Sequence, residues 1–196
     1  MILSDRDIKK ALEEGNLIIT PAPELNRFST SALDLRVGSG FWKYKNRKKG
    51  IRTSIDFDEI TDSEETFSNL RDFLQVIHPD DRGLILLRRG EFILVETLEY
   101  IKLPPCGKLA ARVEGRSSLA RLGISVHMTA PVVHCGFKGR LHLEIINNGP
   151  FDLEIRPKKT RLCQLVFEMV QSEPSGPLDS YFTDQDDPAG RKGSSL

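Results

Sequence analysis

Seven consecutive residues, Gly115-Arg116-Ser117-Ser118-Leu119-Ala120-Arg121, combine a glycine, two hydroxyls and two guanidinium groups. Glycine lets the backbone turn sharply. The serines follow at a predicted helix start, where free N–H groups favour an anion such as phosphate. The arginines add charge and forked donors. On a helix, Ser117 and Arg121 stand four residues apart and share a face. The same string fits a capped surface helix, and residue types alone leave both readings open.

A second group is Gly136-Phe137-Lys138-Gly139 running into Arg140-Leu141-His142-Leu143-Glu144-Ile145. Glycines flanking an aromatic predict a tight hairpin that a planar ligand could approach. Strand alternation puts Leu141, Leu143 and Ile145 on one face and Arg140, His142 and Glu144 on the other. Partial burial would raise the pKa of such a carboxylate and suit it to general acid–base work. A solvent-facing polar edge explains the pattern equally well. A third group, Arg191-Lys192-Gly193-Ser194-Ser195, either folds over an anion or is an ordinary disordered terminus.

Two other chemistries fail on motif grounds. His142-Leu143-Glu144 matches half of the zinc nucleobase deaminase signature, but that chemistry also needs a Pro-Cys-x-x-Cys pair. Pro105-Cys106 has one cysteine, and Cys135 and Cys163 are isolated, so a catalytic zinc is not expected. No Gly-x-Ser-x-Gly elbow exists for a serine hydrolase.

These residues need a scaffold. The 196 residues amount to about one domain, with 39% hydrophobic content for a core. Lys+Arg and Asp+Glu are 28 each, which argues against a chain built to coat nucleic acid or an anionic membrane. No apolar run approaches the roughly 18 residues of a membrane helix, and the start of the chain lacks a signal-peptide pattern. Three cysteines make a disulfide framework unexpected and point to a reducing cytoplasm.

Ser4-Asp5-Arg6-Asp7 predicts a capped helix bearing Ile8, Ala11 and Leu12 and ending at Gly15. Leu17-Ile18-Ile19 reads as a short strand, and residues 44 to 50 as a solvated basic loop. A second cap at Thr61 to Glu65 precedes Phe67, Leu70, Phe73 and Leu74 at helical spacing, read as core. Gly83 to Leu87 and Glu91 to Val95 predict strands paired across Arg88-Arg89-Gly90. Further strands are expected at Lys108 to Val113, Gly139 to Ile146, Phe151 to Ile155 and Arg161 to Phe167, broken by Gly, Pro and Asn. Many short strands argue for an all-β sandwich or barrel with two small helices. After Val170 the composition turns to Ser, Pro, Asp and Gly. Residues 171–196 therefore read as a tail, disordered alone or ordered by a ligand.

The run Gly115 to Gly123 (GRSSLARLG), Val126 to Ala130, Gly136 to Gly139 and Leu143-Glu144 together resemble the dCTP deaminase family of the dUTPase-like superfamily. Leu3 to Ile8, Asp34 to Gly38 and Gly90 to Pro104 extend the likeness, in order, across residues 1 to about 168. The combination of GRSSLAR with the N-terminal segment favours deaminase over plain dUTPase.

The resemblance implies a mainly β, dUTPase-like distorted β-barrel or jelly roll with a few short helices. It places a nucleotide-binding domain at 1–170 and a possible lid at 171–196. It implies a homotrimer with active sites between subunits. The implied reaction converts dCTP to dUTP and ammonia without zinc, with Mg2+ bound through the triphosphate. By motif position, Glu144 would be the proton shuttle and Ser117 and Arg121 would complete the catalytic set. Arg116, Ser117, Ser118, Leu119, Ala120 and Arg121 would hold the nucleotide. His134, His142 and Leu143 match positions near the base or sugar, and Tyr181 and Lys192 would close from the tail. Inhibition by dTTP, through His127 to Ala130, is a family trait.

The chain departs from the family twice. His134 replaces an aspartate that in dUTPases activates the attacking water, which weighs against dUTP hydrolysis. The tail has Tyr181 but no Lys-Tyr-x-x-Gln motif after it. Two other functions stay open beside dCTP deamination: a dUTP or dCTP pyrophosphatase, and a non-catalytic deoxynucleotide sensor.

Overall fold

A computed structural model describes residues 1–45, 71–178, 180, 182–185 and 187–190. Helix α1 (Asp5–Glu13) begins as its sequence predicts. The Ser4 hydroxyl accepts from the Asp7 amide, and the Asp7 carboxylate accepts from the Ser4 amide at 3.0 Å. Asp5 and Asp7 also place negative charge at the positive end of the helix. Ile8 and Ala11 are buried against the core.

The rest is mainly strand: β1 (Ile18–Thr20), β2 (Leu33–Tyr44), β3 (Leu74–Val76), β4 (Ile85–Leu87), β5 (Phe92–Lys102), β6 (Leu109–Gly115), β7 (Ile124–Ser125), β8 (Val132–Val133), β9 (Lys138–Asn147), β10 (Leu153–Ile155) and β11 (Arg161–Met169). A one-turn helix, α2 (Ser117–Ala120), follows β6. The large sheet runs β7-β9-β5-β2-β11-β6-β8, with β1 on β5 and β3 on β2; β4 and β10 form a separate pair. One core fills the inside, centred on Phe41, Phe167, Leu35, Ile93, Ile145 and Leu165. This is the mainly β, barrel-like architecture expected; among the described residues the α-helices are α1 and α2.

Strand β2 is the longest and the least visible in sequence, because Gly38-Ser39-Gly40 interrupts it. The glycines are structural. The pairing of β2 with β5 slips between Val37 and Phe41, and the Glu96 carboxylate accepts from the freed amides of Ser39 (3.3 Å) and Gly40 (2.9 Å). A Cβ on Gly40 would collide with the Trp42 ring, which folds back over it.

Two expectations are corrected. The strands around Arg88-Arg89-Gly90 do not pair with each other: β4 pairs with β10, and β5 with β1, β2 and β9. Buried Asn147 explains this. Its side chain donates to the carbonyls of Leu87 and Phe151, while its backbone exchanges hydrogen bonds with Gly90 and Glu91. The turn is thus drawn to the end of β9. The predicted helix from Thr61 lies outside the described residues up to position 70. Beyond it, Arg71–Phe73 is a 3-10 turn with Phe73 exposed, and Leu74 starts β3. The residues pair with Trp42 to Tyr44 of β2 instead of forming a core-facing helix. In the described part of the tail, Thr183 and Ala189 are buried. None of the helices, among the described residues, is long and apolar enough to cross a membrane.

Candidate active site

Strand β9 carries out the alternation its sequence requires. Leu141, Leu143 and Ile145 are buried, while His142 and Glu144 are half-buried on the other face. Across the strand boundary, Leu94 stands opposite Glu144 and Glu96 opposite His142. Glu144 opens into a cavity of about 420 Å³ walled mostly by apolar groups, among them Leu94, Val133, Phe137 and Leu178. The backbone amide of Met128 lies 3.5 Å from its carboxylate, at the long limit of a hydrogen bond. The acid is therefore neither fully solvated nor locked in an ion pair.

The hairpin before β9 turns at Gly136, whose φ of +93° suits glycine. Phe137 is buried and braces this turn while also lining the cavity. His134 is exposed on the hairpin and lines the same cavity; His142 and Leu143 join it. The His142 ring lies 5.5 Å from the Trp42 ring, centre to centre. Neither of its ring nitrogens has a hydrogen-bond partner among the described residues. Burial pushes this imidazole below its ordinary pKa, with Glu96 and Asp187 opposing.

The tail forms part of the wall. Leu178, Ser180, Phe182, Gln185 and Pro188 face the Glu144 cavity. They are held by Asp184, whose amide donates to the Lys138 carbonyl and whose carboxylate takes the Tyr100 hydroxyl and the Lys138 ammonium, both at 2.7 Å. Burial, then this hydrogen bond, pushes the Tyr100 phenol up to about 12. Asp187 pairs with Arg71 at 2.7 Å. Tyr181 and Lys192 lie outside the described residues.

The arginine–serine string builds a different cavity, of about 520 Å³, where β6 ends and α2 begins. Arg116, Ser117, Ser118 and Ala120 line it together with Arg27, Arg161 and Gln164. Asp34 anchors this loop by taking Arg116 at 3.3 Å and Arg161 at 3.2 Å. Since α2 is a single turn, little helix dipole is available. Anion affinity here rests on side chains and loop amides instead. Leu119 packs against the core, and Arg121 is exposed and lines neither cavity. No residue lines both cavities. Within one copy the chain thus gathers His134, His142, Leu143 and Glu144 in one place and Arg116 to Ser118 in another.

A family profile described as dCTP deaminase-like matches residues 2–170. The chain belongs to the dCTP deaminase-like family. It is 42% identical, over 90% of its length and 83% of the relative's, to a protein of Methanothermobacter thermautotrophicus named dCTP deaminase, dUMP-forming. It is 34% identical, over 99% of its length and 92% of the relative's, to a dCTP deaminase of Halorubrum lacusprofundi. Among solved structures, a 2'-deoxycytidine 5'-triphosphate deaminase from Agrobacterium tumefaciens superposes with a TM-score of 0.63 at 22% identity. That match covers 86% of this chain and 48% of the other, so this chain spans about half that protein's length and shares its fold.

The family match stops at residue 170, so the tail wall over the Glu144 cavity lies beyond it. Sequence reading missed Asp34 and Arg161 as supports of the arginine–serine loop. Asp34 carried a signal, being a lone acid between buried Leu33 and Leu35. Glu96 and Asp184 gave none, because their partners are backbone amides and residues far along the chain.

Proposed function

We propose that the protein hydrolyses dCTP to dUTP and ammonia, breaking the C–N bond of a cyclic amidine. The observation that carries this reading is Glu144, a carboxylate half-buried in an apolar-walled cavity of ring-binding size, in a chain of this family. Water attacks C4 of cytosine, the C4–N4 bond breaks, and N4 leaves as ammonia. Glu144 takes one proton from the water and places it on N3, where it stays, then carries the second, from the new C4 hydroxyl, to the departing amine. Ser117 and Arg121 orient the water and stabilise developing charge. Arg116, Ser117 and Ser118 hold the phosphates.

Because the two cavities share no residue within one copy, these roles require the arginine–serine loop of a second copy to meet Glu144. A homotrimer with sites between subunits supplies that geometry. The proposed reaction needs no zinc. Magnesium, when bound, neutralises phosphate charge. Among the described residues no group of three or more His, Cys, Asp or Glu could hold a metal ion by itself, and magnesium takes phosphate oxygens readily. Arg116 and Asp34 border the cavity in which that ion and its phosphates would sit.

Loss of cytosine absorbance with purified protein, dCTP and magnesium tests the reading. Turnover with one ammonia per dUTP supports it; tight binding without turnover overturns it in favour of a sensor. A second reading, onward hydrolysis to dUMP, is supported by the names of relatives such as the 42% identical one. His134 opposes it, standing where dUTPases use an aspartate. Pyrophosphate release distinguishes the two.

A further inference from the structure

The cavity at the arginine–serine loop contains a cation that the motif does not include. Arg27 ends a 3-10 turn (Leu25–Arg27) and lines that cavity beside Arg116, Ser117 and Ser118. Its Nε and Nη1 are buried, and neither has a hydrogen-bond partner among the described residues. Arg27 as a whole is partly buried, and buried N–H groups left without acceptors are disfavoured unless a ligand satisfies them.

The neighbouring acids are already engaged. Asp34 is shared by Arg116 and Arg161. Glu99 binds Arg36 at 2.8 Å, and Glu24 lies 3.7 Å from the same group. Three guanidinium groups therefore line the cavity against the single carboxylate of Asp34, a surplus of two positive charges. One terminal phosphate carries about −1.5 to −2 at neutral pH, which cancels that surplus. Asn26, Ser29 and Gln164 add neutral donors along the same wall.

We propose that Arg27 is a phosphate-binding residue, a second arm of the nucleotide site that takes the terminal phosphates of a nucleoside triphosphate opposite the grip of Arg116 to Ser118. This rests on the nucleotide reading above for its substrate class. The guanidinium offers a planar pair of donors to phosphate oxygens. It lies about 90 residues upstream of the motif, so the site grips the triphosphate from two separate parts of the chain. Arg27 thereby selects for a triphosphate over a monophosphate, while Glu144 deals only with the base.

Binding of inorganic tripolyphosphate to the full-length protein, measured by calorimetry, tests this without relying on deamination. Arg27→Gln should weaken tripolyphosphate about 10- to 100-fold, the worth of a charge-assisted contact. Arg27→Lys should recover only part, because it keeps the charge and loses the fork. With dCTP and dCMP as ligands, Arg27→Gln should weaken dCTP and leave dCMP within about twofold. Should Arg27→Gln fail to fold, Arg27→Lys decides, and it must still bind tripolyphosphate more weakly than the parent. Unchanged tripolyphosphate binding in a folded variant overturns the proposal, including the case where the variant loses self-association and so assigns Arg27 to a contact between copies. Absence of tripolyphosphate binding by the parent protein overturns it as well. If dCTP is bound but never turned over, yet tripolyphosphate affinity depends on Arg27, deamination fails and the phosphate role stands.

Discussion

The two cavities are opposites in composition. The one around Glu144 is walled by Leu94, Val133, Phe137, Leu141 and Leu178, with a single half-buried acid. The one around Ser117 and Ser118 is charged, with Arg27, Arg116 and Arg161 set about Asp34. An apolar wall strengthens whatever polar group it encloses and excludes bulk water. A charged wall does the reverse: it attracts a hydrated anion and holds it by many modest contacts. Under the proposed function, the first takes the flat ring and the second the phosphates. On the proposed reading, their separation within one copy would tie chemistry to assembly.

The sharpest way to break this division is at Glu144. Glu144→Gln keeps the shape and removes the proton carrier, so kcat should fall about 10²- to 10⁴-fold with dCTP affinity nearly unchanged. A matching loss of affinity would mean that the apolar cavity binds through its acid and that the division is false. At the other cavity, Arg116→Gln should raise KM for dCTP about 10- to 100-fold. A kcat effect that dwarfs the KM effect would move this loop from holding to chemistry. Mixing the two crippled variants sharpens the point further. If sites are built from two copies, mixed assemblies contain some sites with an intact Glu144 and an intact Arg116, and activity reappears on subunit exchange. No recovery, with exchange shown by mass, would place both halves within one chain.

Much of this was legible because it is local. The alternation of Leu141, Leu143 and Ile145 against His142 and Glu144 fixes which face of β9 is polar, and Ser4 with Asp7 fixes where α1 starts. Failures came where a distant group overrides a local pattern. The hairpin expected around Gly90 is defeated by Asn147, which ties Leu87 and Gly90 to different partners. Strand β2 looks broken at Gly38 to Gly40 until Glu96 satisfies the loosened amides. The tail's partners Tyr100, Lys138 and Arg71 are 46 or more residues away and invisible to composition, which leaves its order open in the sequence. The polar side of β9 that carries Glu144 was legible in the alternation, whereas the separation of its cavity from Ser117 depends on three-dimensional placement.

Described tail residues wall the apolar cavity and not the charged one. Asp184→Ala removes the acceptor for Tyr100 and the partner of Lys138. Amide exchange across residues 178 to 190 should rise about tenfold for each 1.4 kcal/mol of local stability lost, with little change in overall melting. The Tyr100 phenol should also titrate lower than about 12 but stay above its ordinary 10, because burial, the larger cause, persists. If exchange is unaltered, the tail is held by its apolar contacts, and Leu178 and Phe182 become its anchors.

The smallest expected effect concerns His142, which borders the apolar cavity with both ring nitrogens unpartnered among the described residues. Burial lowers its folded pKa below the ordinary 6.5, so the unfolded chain binds the proton more readily. Its contribution to stability is therefore in place above about pH 6.5 and is lost as pH falls towards the folded pKa. Glu96, Asp187 and the Arg140 backbone oppose the shift, which keeps the slope shallow, and the Arg140 charge only partly offsets them. His142→Phe retains the ring against Trp42 and removes the proton. Denaturation midpoints between pH 5 and 8 should then vary less with pH in the variant than in the parent. An equal slope in both would mean that the ring is hydrated in solution, and the wall beside Glu144 would be wetter than its apolar lining implies.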